Sequence, residues 1–440
     1  MANWPYDVDK RVLTFEEAVV GVEDCVEFGS INRASSCGYP WNNDSDFGSN
    51  KHKLFGIEQE FNLLTPGAIR LKKSVDNMID LARKGERSSV IFADCLKDER
   101  RPKEKVDMGK TRLFSACPID YLVAFRQYFG SFSIFYVKNR IRNSSAIGVN
   151  PYSLEWNTIA LELQKKAQGK ARCGAGDYSH YDGSELSSIH NDILEIINEW
   201  YDDGNEIIRE TLWKELTNSV HIRENYVYEW DGSLPSGHPF TAVVNTMYNN
   251  LLFRMCWLQV NGMSHSSMKL FDQNVFLICL GDDNLYAVAD PYDKVFDEFR
   301  LAEEMKQLGM VYTSEIKGEV KHGLRLLTEV EFLKRRFEFD DIVCRYVAPL
   351  RMETILEMPQ WSKKGEKYEE ITTSNVQNAL DELTLHGKDV YQQWSPKLLG
   401  AYYSNGYREI ITRTRFDINH EFVLSRQDYA GNVTTITPNC

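Results

Sequence analysis

The chain has 440 residues, 42% of them hydrophobic, enough to bury a substantial core, so disorder is excluded as the default reading. Its formal net charge of -13 at pH 7 argues against a uniformly basic nucleic-acid-coating protein, although positive charge can still gather in a channel beneath an acidic exterior. Nine cysteines without a C-x-x-C pair or a His-x-His cluster argue against a zinc site and a disulfide framework, and read as reduced thiols of a cytosol-like compartment.

In chain order, Met1-Ala2-Asn3-Trp4-Pro5 lacks the basic-then-apolar start of a signal peptide, so secretion is not expected. No apolar run approaches the roughly 18 residues of a membrane span, and a soluble chain is expected. Turn-rich stretches at Asn42 to Lys51, Asp202 to Glu206 and Trp361 to Glu369 predict surface loops, the last a subdomain hinge. Helical periodicity covers Ala68 to Lys84, Leu186 to Tyr201, Thr241 to Leu258, Val295 to Leu308 and Ser374 to Trp394, with short strand-like runs interspersed. There is no internal repeat and no long flexible linker, so one body with subdomains and an α+β fold are expected.

Three patterns carry chemistry. Val275 to Val288 reads as a hairpin, two apolar runs flanking a Gly281-Asp282-Asp283-Asn284 turn, and two carboxylates fixed at its tip can bind divalent metal. Asp177 ends another strand-like run and can complete that site, since paired Mg²⁺ ions stabilise both oxygens of an in-line phosphoryl displacement. Thr241 and Asn245, four residues apart after the Leu234-Pro235-Ser236-Gly237-His238-Pro239 loop, share a helix face and can act on one ligand. Each pattern alone is equally an ordinary turn, loop or satisfied helix residue. Lys97, Arg101, Lys105, Lys110 and Arg112 can neutralise a triphosphate, or form a solvated mixed-charge loop with Asp98, Glu99, Glu104 and Asp107. His180 and His238 lack metal-ligand spacing and read as shaping or hydrogen-bonding residues.

Taken in order, D-x4-D, S-G-x3-T-x3-N and G-D-D resemble the RNA-dependent RNA polymerases of positive-strand, picorna-like viruses, and the wording Ser-Gly-His-Pro and Gly-Asp-Asp-Asn leans towards dicistrovirus-like and iflavirus-like members. Upstream, Lys97 to Arg112 resembles the basic finger segment, and Ser35-Ser36-Cys37-Gly38-Tyr39-Pro40 the motif that admits template. Downstream, Gly309 to Lys317 resembles the segment bearing a proton-donating lysine, and Phe332-Leu333-Lys334-Arg335 the primer grip.

The resemblance implies a right hand: fingers over 1-170 and 191-229, palm over 171-190 and 230-340 as an antiparallel sheet flanked by helices, and thumb over 341-440. It implies Asp177, Asp282 and Asp283 as ligands of two Mg²⁺ ions, for which Mn²⁺ can substitute, and Lys317 as general acid. Asp182 with Ser236, Thr241 and Asn245 would sense the ribose 2′-OH, and Ser35, Ser36, Gly38, Tyr39, Pro40, Gly237, Lys334 and Arg335 would touch RNA. Expected partners are single-stranded template, a primer or nascent strand, NTPs, a protein primer and other viral replication proteins, in membrane-associated complexes of the host cytoplasm. Leu280 stands where many members carry Tyr, and the segment before Ser35 is short, which predicts a fingers-thumb bridge that is absent or differently built. The rival readings are a reverse transcriptase, against which Asp182 speaks, and a catalytically silent RNA-binding scaffold.

Overall fold

The structure is a computed structural model and describes residues 6-410, except 46, 49 and 363-366, together with residue 417. Part of the expected hinge, and the end of the expected thumb apart from Asp417, therefore lie outside the described residues. Among the described residues, ten strands follow in chain order: β1 Ile91–Leu96, β2 Leu113–Ala116, β3 Cys173–Ser179, β4 Val220–Arg223, β5 Tyr226–Glu229, β6 Val275–Leu280, β7 Asp283–Val288, β8 Val311–Ser314, β9 Glu338–Asp340 and β10 Arg345–Val347. Two compact units are assembled from interleaved stretches, the first from Met1–Asn139, His180–Leu251 and Leu280–Asp282, the second from Arg140–Ser179, Leu252–Cys279 and Asp283–Cys440.

The first unit carries a sheet ordered β2-β1-β4-β5, in which β1 pairs antiparallel with β2 and parallel with β4. Helix Ile119–Lys138 runs through its core against helices Phe15–Val20 and Pro66–Ala82. That central helix is aromatic on all sides, with Phe125 stacked on Phe129 at 4.0 Å and Phe129 on Trp213 at 5.8 Å. It has no polar face to set off an apolar stripe, which is why periodicity does not single it out.

The second unit carries a sheet ordered β6-β7-β3-β8, antiparallel where β3 meets β7 and β8. Two glycines in β3 let aromatic rings lie flat on the strand. A Cβ on Gly174 would fall on the ring of Tyr286, and one on Gly176 on the hydroxyl of Tyr312. Tyr312 donates across β3 to Asn284 Oδ1 at 2.8 Å, tying β8 to β7. A further cluster of Leu350, Ile355, Val376, Leu380, Leu383 and Tyr402 packs the helices near the end of the described chain.

Most expected helices appear, at Pro66–Ala82, Ser187–Tyr201, Thr241–Asn261 and Glu298–Gln307. The last starts later than its apolar pattern because Asp297 caps it, accepting the Arg300 N–H at 2.8 Å. The single helix expected over Ser374 to Trp394 is corrected to two, Tyr368–Leu383 and Lys388–Ser404. Thr384, Leu385 and His386 close the first with bonds back to Asp381, Glu382 and Leu383, and Gly387, with φ -57 and ψ 158, turns the chain into the second.

Candidate active site

In the second unit, Asp177 is 8% exposed on β3, one residue past Gly176, the last partner of the β3-β7 ladder, which faces Asn284. Continuing that antiparallel register by one residue sets Asp177 across from Asp283, and residues so opposed share one face of the sheet. Like charges there repel unless positive charge stands by. Lys317 supplies it, with Nζ 3.0 Å from Asp177 Oδ2, while Asp177 Oδ1 accepts the Tyr178 N–H at 2.6 Å. The turn after β8 delivers this lysine: Lys317 has φ +59 and its N–H bonds Ser314 O at 2.8 Å.

An ion network braces the same strand. Arg325 donates to Glu298 at 2.6 Å, to Glu315 at 2.7 Å and to Ala175 O at 3.2 Å, and the Ala175 N–H donates to Glu298 Oε1 at 3.1 Å. Burial raises the Glu298 carboxyl against the pull of Arg325. Both main-chain groups of Ala175, two residues before Asp177, are thus fixed.

In the first unit, Asn245 donates to Asp182 Oδ1 at 3.0 Å, and its own carbonyl accepts the Tyr181 hydroxyl at 2.9 Å. Its Oδ1 is buried and accepts nothing. Thr241, on the same helix face, donates instead to Pro235 O at 3.0 Å and closes the loop before the helix. Ser236 is exposed, and its carbonyl accepts the Ser115 N–H at 2.6 Å. His238 accepts the Phe240 N–H at 3.3 Å, and burial depresses its imidazole to about 3. His180, with φ +59, turns the chain after β3 and accepts the Ser184 hydroxyl at 2.9 Å. The hairpin turn is gripped from the helix: Gly281 N–H donates to Thr246 Oγ1 at 2.9 Å, and Asn249 donates to Gly281 O at 2.9 Å and Asp282 O at 3.0 Å.

The basic stretch is partly self-neutralised, because Glu99 pairs with Arg101 at 3.0 Å and with Arg112. Arg112 above all holds the Glu99 carboxyl down to about 2. The same pairing raises the Arg112 guanidinium, and the Asp282 carboxylate adds to it. Lys97, Lys105 and Lys110 are exposed. Upstream, Ser35 and Ser36 are held by the buried Lys51, whose ammonium bonds Ser35 Oγ at 2.6 Å and Ser35 O at 3.2 Å. Gly38, with φ +73, is pressed so closely on Cys117 that a Cβ would meet its carbonyl, Tyr39 is half-buried and Pro40 exposed. Leu333 and Lys334, with φ +54 and +63, form a tight two-residue turn between the mutually bonded Phe332 and Arg335. Lys334 is exposed at its tip, whereas Arg335 is committed to Glu382 at 2.6 Å and Ala348 O at 2.8 Å. Among the described residues, no group of three or more His, Cys, Asp or Glu side chains is gathered as a metal site. Nor is any helix long and apolar enough to cross a membrane.

The family described as viral RNA-dependent RNA polymerase matches residues 10-403. The chain belongs to that family. It is 38% identical to the replicase polyprotein of Drosophila C virus over 399 residues, which make up 87% of this chain and 22% of that protein. It is 36% identical to the replicase polyprotein of cricket paralysis virus over 407 residues, 89% of this chain and 23% of that protein. The chain therefore spans about a fifth of these relatives, and the picorna-like, dicistrovirus-like resemblance holds. A solved sicinivirus 3Dpol RNA dependent RNA polymerase matches with a TM-score of 0.75 over 94% of this chain and 81% of that one. At 21% identity this shows a common fold, in accord with the right-hand α+β expectation.

Several residues that shape the candidate site escape a sequence reading. Thr246 and Asn249 follow Asn245 on its helix, yet nothing in their spacing says that they hold the hairpin turn. Lys51, Glu298 and Arg325 look like surface charges in the sequence. The one usable signal is Gly-x-Gly over Gly174 to Gly176, in a strand too apolar to need flexibility, which marks a close approach.

Proposed function

We propose that the chain replicates a viral RNA genome by template-directed nucleotide transfer. The 3′-hydroxyl oxygen of a primer, nascent or protein-linked strand attacks the α-phosphorus of an NTP, a phosphodiester bond forms, and the bond to the leaving pyrophosphate breaks. The observation that carries the reading is the Asp182–Asn245 pair at 3.0 Å with Asn245 Oδ1 buried and unpartnered. A buried acceptor beside a carboxylate suits a ribose 2′-OH, which can donate its proton to Asn245 Oδ1. Ser236, exposed on the adjoining loop, completes the polar set, and Thr241 holds that loop in shape.

Asp177, Asp282 and Asp283 offer only carboxylate oxygens, the donors that Mg²⁺ and Mn²⁺ take, and the ammonium of Lys317 already rests against Asp177. These three residues would hold two such ions, which when bound lower the barrier at the attacking and leaving oxygens. Lys317 stands ready to give its proton to the departing pyrophosphate. Lys97, Arg101, Lys105, Lys110 and Arg112 would neutralise the triphosphate. Arg101 and Arg112 exchange Glu99 for phosphate as they do so. Ser35 to Pro40, Gly237, Lys334 and Arg335 would line the path of RNA, Arg335 mainly by fixing the turn that presents Lys334. The fingers, palm and thumb limits, the protein primer, the replication partners and the membrane-associated cytoplasmic setting belong to the same proposal.

The test compares ATP with dATP on one primed RNA template. Wild type should prefer the ribonucleotide by orders of magnitude, and Asn245→Ala should lose roughly tenfold or more of that preference, as expected when a buried polar contact is removed. Equal use of dATP by the wild type would overturn the reading in favour of a reverse transcriptase.

A further inference from the structure

We infer that the buried carboxylate of Asp94 sets the position of the Ser236–Gly237 loop through Ser115, and so tunes recognition of the incoming ribose. The inference rests on the polymerase reading above.

Asp94 lies on β1 directly across from Ser115 on β2, and its side chain is fully buried. Three donors converge on it: the Ser115 hydroxyl at 2.6 Å and His221 Nδ1 at 3.0 Å on Oδ1, and the Tyr228 hydroxyl on Oδ2. His221 Nε2 is in turn 2.8 Å from Ser219 Oγ, so both ring nitrogens are engaged and the ring is held in place. Burial disfavours the ionised carboxyl, but His221, Ser115 and Tyr228 outweigh it and hold Asp94 below its ordinary range. A buried anion held by three converging donors gives little net stability and much orientation.

What it orients is Ser115. The hydroxyl of this residue turns inward to Asp94, while its main chain holds the loop on the other side. The Ser115 N–H donates to Ser236 O at 2.6 Å, and a Cβ on Gly237, where φ is +112, would come within 3.2 Å of Ser115 O. The loop has a second tether in Thr241, on Pro235 O at 3.0 Å. Ser236 therefore presents its exposed side chain from a loop whose place is dictated by how β2 sits on β1. The Asp94–Ser115 bond fixes that seating at the one residue both contacts share. Asp94, His221 and Tyr228 are positioning residues, since none touches substrate.

The decisive variant is Ser115→Ala in the full chain, which leaves Asp94 its other two donors. Asp94→Asn accompanies it as the harsher change, and Ser115→Thr restores the hydroxyl. ATP and dATP incorporation on a primed RNA template is measured with amide hydrogen exchange over residues 234-240 and the melting temperature. Ser115→Ala should raise the KM for ATP and lower ATP-over-dATP selectivity, each roughly tenfold, with kcat little changed, the order expected from losing a hydrogen bond to a charged group. Exchange in the loop should quicken, the melting temperature should shift by no more than a few degrees, and Ser115→Thr should restore all three readouts. A folded Ser115→Ala chain with wild-type selectivity and wild-type loop exchange would overturn the inference. If the wild type incorporated nothing, the polymerase reading would fall. Exchange alone would then decide the loop, quickening upholding its control by Asp94 and no change overturning it.

Discussion

Asn245 keeps its side-chain oxygen buried and unpartnered while its amide serves Asp182, an arrangement that costs stability unless a ligand hydroxyl completes it. Lys317 has a different economy, because its ammonium rests on Asp177 yet its side chain is 63% exposed, so it can leave that partner at little cost. Lys317→Leu should lower kcat by roughly 10² to 10⁴ with a smaller change in the KM for NTP, measured by single-nucleotide incorporation. Lys317→Arg should retain charge at Asp177 but recover only part of the rate, because guanidinium is a poor proton donor. His238 sits in the same loop as Ser236 with a folded pKa near 3, well below its ordinary value. Its neutral burial is a stabilising contribution fully present above about pH 6.5 and lost as pH falls towards 3, by about 1.4 kcal/mol per pH unit. Between pH 6.5 and 5, urea unfolding should therefore show wild type losing about 2 kcal/mol more than His238→Leu. At this scale, Asp177, Asp182 and Asn245 were marked out by motif order. Their partners were not, because the reach of Lys317 back to β3 depends on a backbone turn with positive φ at a lysine, which no residue pattern announces.

At the scale of elements, the hairpin and the helix that grips it form one device. Thr246 and Asn249 lie on successive positions of the helix face that begins with Thr241 and Asn245, and between them they satisfy Gly281 N–H, Gly281 O and Asp282 O. Asn249→Ala should cost about 1 to 3 kcal/mol in unfolding free energy, through two partly buried carbonyls that lose this donor. Nucleotide incorporation should fall further than that loss of folded protein explains. Gly176→Ala tests the strand paired with the hairpin. Its methyl would displace Tyr312 and break the bond to Asn284, so destabilisation of roughly 1 to 3 kcal/mol is expected in denaturant melts. The hairpin was legible because two apolar runs flank a polar tip, and helices Pro66–Ala82, Ser187–Tyr201 and Glu298–Gln307 because their stripes are clean. Helix Ile119–Lys138 was not, being buried on every face, and the two helices over Tyr368–Ser404 merged in sequence because a compatible stripe continues across the Thr384–Gly387 break.

At the scale of the whole molecule, a net charge of -13 coexists with a stretch whose exposed lysines, Lys97, Lys105 and Lys110, stand beside an Arg101–Glu99–Arg112 cluster. The average charge conceals that gathering. The two compact units were beyond the reach of sequence, since each collects stretches far apart in the chain and no linker marks where the path changes over. The family, by contrast, was legible, because seven short motifs in one order constrain a chain far more than any one of them does. Asp177, Asp282 and Asp283 remain the centre of the account. Primer extension on an RNA template with Mg²⁺ and NTPs tests them most directly. Wild type should extend the primer and Asp282→Ala should not, while both bind the RNA alike; undiminished extension by Asp282→Ala would contradict the account.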